Sequence, residues 1–168
     1  CPGRSLETDM TAFATGRTLA AASLAAALAL APAAFAQDFE NQVGARQGQF
    51  KIMAVNLGVL GGMARGQMEY DAELAQAAAD NIVAVTSLHQ DFFWPEGSDN
   101  VMLDTTRADP SIWDDNADFL AKWSDASEAA VALQAVAADG QEGLGAAVGA
   151  LGGTCKACHD AHRGPELN

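Results

Sequence analysis

Between residues 39 and 163 apolar side chains return every three, four or seven positions, and nowhere do they alternate over a length that would make a strand. The first stretch, about residues 39–66, sets Val43, Phe50, Met53, Leu57, Leu60 and Ala64 on one helical stripe. Glycines interrupt it, and a helix face without side chains lets a flat group approach the backbone. A second stripe, Leu74, Ala78, Ile82, Val85, Leu88 and Phe92, opens near Asp71, whose charge suits a helix N-terminus, and is expected to run until Pro95 stops it. The segment "WPEGSDNVMLDTTRAD", residues 94–109, has the Gly, Pro, Asp and Ser content of an irregular connection. Asp109-Pro110 then supplies a cap and first turn for a third helix, predicted to run unbroken to Asp139 through Ile112, Phe119, Trp123, Ala130, Leu133 and Val136. Gly140 marks a tight turn. A fourth helix follows from Gln141 to about Arg163, with Leu144, Val148, Leu151, Cys155 and Cys158 on or near one side, and Gly164-Pro165 ends it.

Four amphipathic helices joined by two short connections and one longer one predict an all-α fold, an antiparallel up-down-up-down four-helix bundle. The many alanines allow close packing but leave little aromatic bulk, which points to something besides side chains filling part of the interior.

Ahead of the bundle, "TLAAASLAAALALAPAAFA" at residues 18–36 is uncharged, short for a membrane span, and closes on Ala34-Phe35-Ala36, the small-residue pattern of a signal-peptidase site. Residues 1–36 are therefore expected to be a signal peptide with possible extra N-terminal residues, Met10 being an alternative start. Residues 37–168 form the domain. Export places that domain in the periplasm with no stable membrane insertion. The whole chain carries 9 Lys and Arg against 22 Asp and Glu, a net charge of -13. That balance excludes a sequence-independent grip on nucleic acid and favours basic partners.

Within the expected domain only Cys155 and Cys158 remain, too few to staple a fold by disulfides, and they fall in "GGTCKACHDAHR" at residues 152–163. In CxxCH two thiols add across the vinyl groups of a haem and the following histidine becomes an axial iron ligand. Cys155, Cys158 and His159 supply that set, and on a helix His159 stands one turn beyond Cys155. A thioredoxin-like CxxC would sit at a helix start beside a strand, and a structural zinc site commonly takes four ligands; neither context is present. The reading is one covalently bound haem c per chain.

The late position of CxxCH, together with "ARQGQFK" at 45–51, "FWPEGS" at 93–98, "IW" at 112–113 followed by Phe119, "VALQAVAADG" at 131–140 and "CKACHDAHR" at 155–163, resembles the cytochrome c′ family of class II c-type cytochromes. The resemblance implies high-spin five-coordinate iron, electron transport, binding of small neutral gases such as nitric oxide and carbon monoxide, and a homodimer packed through the first two helices. It implies that Phe50, which has no lone pair, covers the sixth side of the iron, where low-spin relatives place a methionine, and that Arg46 meets a haem propionate. Arg163, one turn after His159, is expected to bring positive charge near the proximal imidazole. His162 departs from the family, where an aromatic such as Tyr or Phe is usual; it is read as a surface histidine.

The redox partner protein is not encoded in any motif. Met53, and less so Met63, is the challenger as a sixth ligand in a low-spin electron carrier. A non-haem binding module with a Cys155–Cys158 disulfide is the reading from another class. His89 is read as an ordinary histidine, Lys156 as solvent-facing, and Trp94, Trp113 and Trp123 as structural seals. Hydrolytic chemistry is excluded because no Ser/His/Asp spacing is visible, so no enzyme activity is expected.

Overall fold

The computed structural model describes residues 39–167; the expected signal peptide and the cleavage site after Ala36 lie outside the described residues. The first helix, α1, spans Glu40–Ala64. It ends where Gly66 takes a φ of 66°, a left-handed conformation that reverses the chain and that a residue with a Cβ adopts only with strain. Asp71 caps α2, Ala72–Thr86, its carboxylate accepting from the Leu74 amide at 2.9 Å. This helix is shorter than the apolar stripe predicts. Ser87 Oγ donates at 2.9 Å to the Ala84 carbonyl, the acceptor the Leu88 amide would take in another helical turn, and the Leu88 amide bonds to the Val85 carbonyl instead. Leu88 and Phe92, placed on the stripe by periodicity, are exposed instead.

The predicted third helix is also interrupted. A single turn, α3, covers Ser111–Asp114, and α4 covers Asn116–Val136. Between them Asp115 leaves helical geometry and its carboxylate accepts from the Asp118 amide at 3.2 Å, capping α4 afresh. Asp109 Oδ1 accepts from the Ser111 amide at 3.0 Å, so the capping chemistry read at Asp109-Pro110 serves the short turn. Gly140, with φ of 125°, makes the turn into α5, Gln141–His162.

The four long helices form the bundle. Along the chain α1 packs on α2, α2 on α4 and α4 on α5, and α1 against α5 closes the ring. Leu60, Met63, Ile82, Leu133, Leu144 and Leu151 are fully buried in one aliphatic cluster. A second, smaller cluster gathers Ala108, Ile112 and Phe119, with Trp94 and Trp113 against it. In α5 Gly143, Gly145, Gly149, Gly152 and Gly153 all have open space where a Cβ would stand. Among the described residues no strand forms beyond an isolated bridge between Ala108 and Arg163, and no helix is long and apolar enough to cross a membrane.

Candidate functional site

The up-down order brings the start of α1, the end of α2, the start of α4 and the end of α5 to one end of the bundle, and the predicted site residues collect there. On α5 Cys155 and Cys158 are half-buried free thiols, and His159 is exposed. Burial pushes both thiols above their ordinary value, with the neighbouring Cys155 charge adding at Cys158, so these are not the stabilised thiolates of a disulfide exchanger. The His159 imidazole is pushed down by burial first and then by the cations Arg163 and Arg107, against the pull of Asp160. It is held neutral with a lone pair available, the form in which histidine ligates iron.

Opposite it stands Phe50, its ring centroid 6.5 Å from that of His159 and its plane inclined by 71°. Phe50 is 38 % exposed although it sits in the middle of the α1 stripe; its ring neighbours are Trp94, Trp123 and His159 rather than the aliphatic core, and the exposed space these four rings border forms a cleft. Trp94 and Trp123 flank it edge-on, at 6.4 and 6.1 Å between centroids. Trp123 Nε1 donates to the Thr86 carbonyl at 2.9 Å and Trp94 Nε1 to Gln90 Oε1 at 3.0 Å, so both indoles are fixed in rotation. These two tryptophans, read from sequence as seals, line the cleft.

Arg46 is drawn into the protein. It is 2 % exposed, and its four terminal N–H hydrogens have protein acceptors: the Phe93 carbonyl at 3.4 Å, Ser98 Oγ at 2.8 Å, the Ser98 carbonyl, and Thr106 Oγ1 at 2.9 Å. Its carbon Cζ lies 4.6 Å from the centre of the Trp94 ring. Burial pushes its pKa down to about 10 despite Asp99, which leaves it charged at neutral pH. The guanidinium that the resemblance gives to a haem propionate ties the connection between α2 and α3 to α1 and braces Trp94.

Arg163 is exposed, its Nη1 3.5 Å from His159 Nδ1. Met53 and Met63 are buried in the aliphatic cluster, and His89 is exposed. Lys156 is exposed and pairs with Asp160 one turn along. His162, read as a surface residue, is 5 % exposed and packs edge-on against Phe119.

Two thiols on one helix face, a neutral imidazole one turn past the first of them, and an aromatic-lined cleft fit haem c: the thiols match its vinyl groups and the rings its flat faces. A family model described as cytochrome C' matches residues 41–163. The chain belongs to the cytochrome c′ family. It is 42 % identical to the cytochrome c' of Cereibacter sphaeroides over 135 residues, 80 % of this chain and 91 % of the relative. The solved cytochrome c' from Rhodobacter Spheriodes superposes with a TM-score of 0.74 at 40 % identity, covering 77 % of this chain and 99 % of that one. A nitric oxide complex of a cytochrome c prime variant from Alcaligenes xylosoxidans gives a TM-score of 0.67 at 33 % identity, covering 76 % and 96 %. The cofactor of this cytochrome c′ family member is haem c, and Cys155 and Cys158 stand in its CxxCH motif.

Proposed function

We propose that this chain is a periplasmic, high-spin, five-coordinate haem c protein that passes single electrons and binds small neutral gases, nitric oxide and carbon monoxide, without acting as an enzyme. Haem c would supply an iron that changes oxidation state by one electron and can take a small ligand. Cys155 and Cys158 would carry the thioether links, and His159 would offer its imidazole to the iron. Arg163 opposes imidazolate character in that ring and biases the iron toward the reduced state.

The observation that supports this reading is Phe50 across the cleft from His159. Its ring excludes water and offers no lone pair, and Trp94 and Trp123 direct their N–H groups away into protein acceptors. A neutral diatomic ligand tolerates such a pocket, whereas bound dioxygen finds no evident donor. Methionine ligation would need Met53 to leave the aliphatic cluster that buries it. The nitric oxide complex of the Alcaligenes relative supports the gas-binding part.

Phe50→Met places a thioether where the inert ring stands and is expected to shift the spectrum toward six-coordinate low-spin while slowing carbon monoxide binding. Phe50→Ala is expected to open the pocket and speed it. Wild-type spin state and ligand kinetics in both variants, measured on haem-loaded protein, would overturn the reading.

Homodimerisation through α1 and α2 belongs to the same proposal, supported by Ile52 and Val55 on α1, 50 % and 70 % exposed, and by Leu74 on α2, 47 % exposed. A periplasmic haem protein beginning at Gln37 and sedimenting as two chains is expected. A monomer at high micromolar concentration removes the dimer, and a cytoplasmic product retaining residues 1–36 removes the export assignment.

A further inference from the structure

One turn beyond His159 the His162 imidazole stands between two partners. Its Nδ1 is 2.9 Å from Ser111 Oγ, and its Nε2 is 3.0 Å from Asp118 Oδ2. Ser111 Oγ is also 2.9 Å from the Ala161 carbonyl oxygen, which can only accept a hydrogen. A serine hydroxyl has one hydrogen to give. When it goes to Ala161, Nδ1 must supply the hydrogen between His162 and Ser111, and the Asp118 carboxylate requires another on Nε2. All the contacts are therefore met together only by an imidazole that carries both ring protons. With the Nε2 proton retained by the Asp118 carboxylate and the Nδ1 proton lost, the Ser111 hydroxyl must leave either Ala161 or His162.

The ring belongs to a wider set of ties that dock the end of α5. The Asp109 amide donates to the His162 carbonyl at 3.1 Å, the Gly164 amide to that of Arg107 at 2.7 Å, and Arg107 Nε to the Gly164 carbonyl at 2.9 Å. Within this set His162 is the side chain that can hold either one ring proton or two.

We propose that His162 is a proton-operated positioning residue: with both ring protons it locks the turn bearing His159 and Arg163 onto Ser111 and Asp118, and on losing one it frees the Ser111 tie and lets that turn relax. The charged and titratable groups around it are Asp118 and Lys122 on α4, Arg107 and Asp109 from the connection, and His159, Asp160 and Arg163 on α5. Lys122 pairs with Asp118 at 3.1 Å, and its hydrogen bond, followed by that of His162, holds the Asp118 carboxyl below its ordinary range. Asp118 is thus held as a carboxylate, and the lock is closed when the His162 ring carries two protons and loosened when it carries one. Ser111, His162 and Asp118 are also the residue types of a hydrolytic triad, a row that chain spacing did not reveal. In the closed lock the serine gives its hydrogen to a main-chain carbonyl and the imidazole has no free lone pair, so Ser111 is no activated nucleophile.

The test follows two readouts on haem-loaded protein between about pH 5 and 9: the His162 ring nitrogen shifts by NMR, and the iron–imidazole stretching band of the ferrous form by resonance Raman. In the wild type the band is expected to shift with the same one-proton profile as the His162 ring. His162→Phe keeps a ring beside Phe119 without its nitrogens and is expected to abolish the shift. Ser111→Ala is expected to leave the ring titrating but the band still. A wild-type band profile in either variant, or a His162 ring with one proton throughout the range, overturns the proposal. Should His162→Phe fail to fold, Ser111→Ala carries the test alone. The ring titration reads the lock independently of the ligand-binding reading, which the Phe50 variants address.

Discussion

At the end of the bundle where α1 turns into α2, the buried side chains are Leu60, Met63, Ala75, Leu133 and Leu144, whereas at the other end they include Arg46, Gln49, Gln90, Ser98, Thr106 and His162. The first set gains stability from burial that is indifferent to direction. The second gains position, since a hydrogen bond weakens steeply when its angle is lost. Gln90 shows how tightly position is specified: Trp94 Nε1, which can only donate, fixes its Oε1, and its Nε2 then faces Gln49 Oε1 at 3.2 Å. The cleft stands at the end where orientation is controlled, so one end of the molecule holds the fold together and the other holds the rings in place.

The contrast breaks most visibly in the aliphatic cluster. Leu60→Ala is expected to lower stability by about 2–5 kcal/mol in urea unfolding followed by circular dichroism, with the haem spectrum unchanged below the transition. An altered spectrum at full folding would show that the two ends are not separable. A smaller effect is expected at the other end. Arg46→Met keeps an unbranched apolar stem but leaves Ser98 and Thr106 without their donor, at a cost of roughly 1.5–3 kcal/mol. Its sharper signature is local: faster amide exchange across residues 93–106 and a changed haem spectrum as Trp94 loses its brace. Arg46→Lys should restore the charge without the fork and recover little of either. Wild-type exchange across 93–106 in Arg46→Met would sink the idea that this guanidinium positions the cleft.

What could be read in the chain follows the distance over which each feature is decided. The period of α1 and α5, Gly140 at the turn and CxxCH are local, and helix ends and attachment residues followed from them to within two residues. The end of α2 was overrun because apolar spacing continues to Phe92 while the Ser87 hydroxyl, a weaker signal, takes the carbonyl the next turn needs. The break before α4 was missed for the same reason, the capping carboxylate of Asp115 lying inside a continuous apolar stripe. Arg46 finds its partners 52 and 60 residues away, and His162 finds Ser111 and Asp118 51 and 44 residues away. Their burial is set by tertiary partners, and a polar side chain in a helix carries no mark of that.

The open-faced glycines of α5 bear on how the molecule is made. Relative to alanine each glycine costs a helix roughly 0.5–1 kcal/mol, and five of them fill no close contact in return. Isolated helices are marginal even without such a handicap. Newly synthesised, the segment that ends in Cys155, Cys158 and His159 is consequently a poor helix on its own and takes its helical form from packing against α1 and α4.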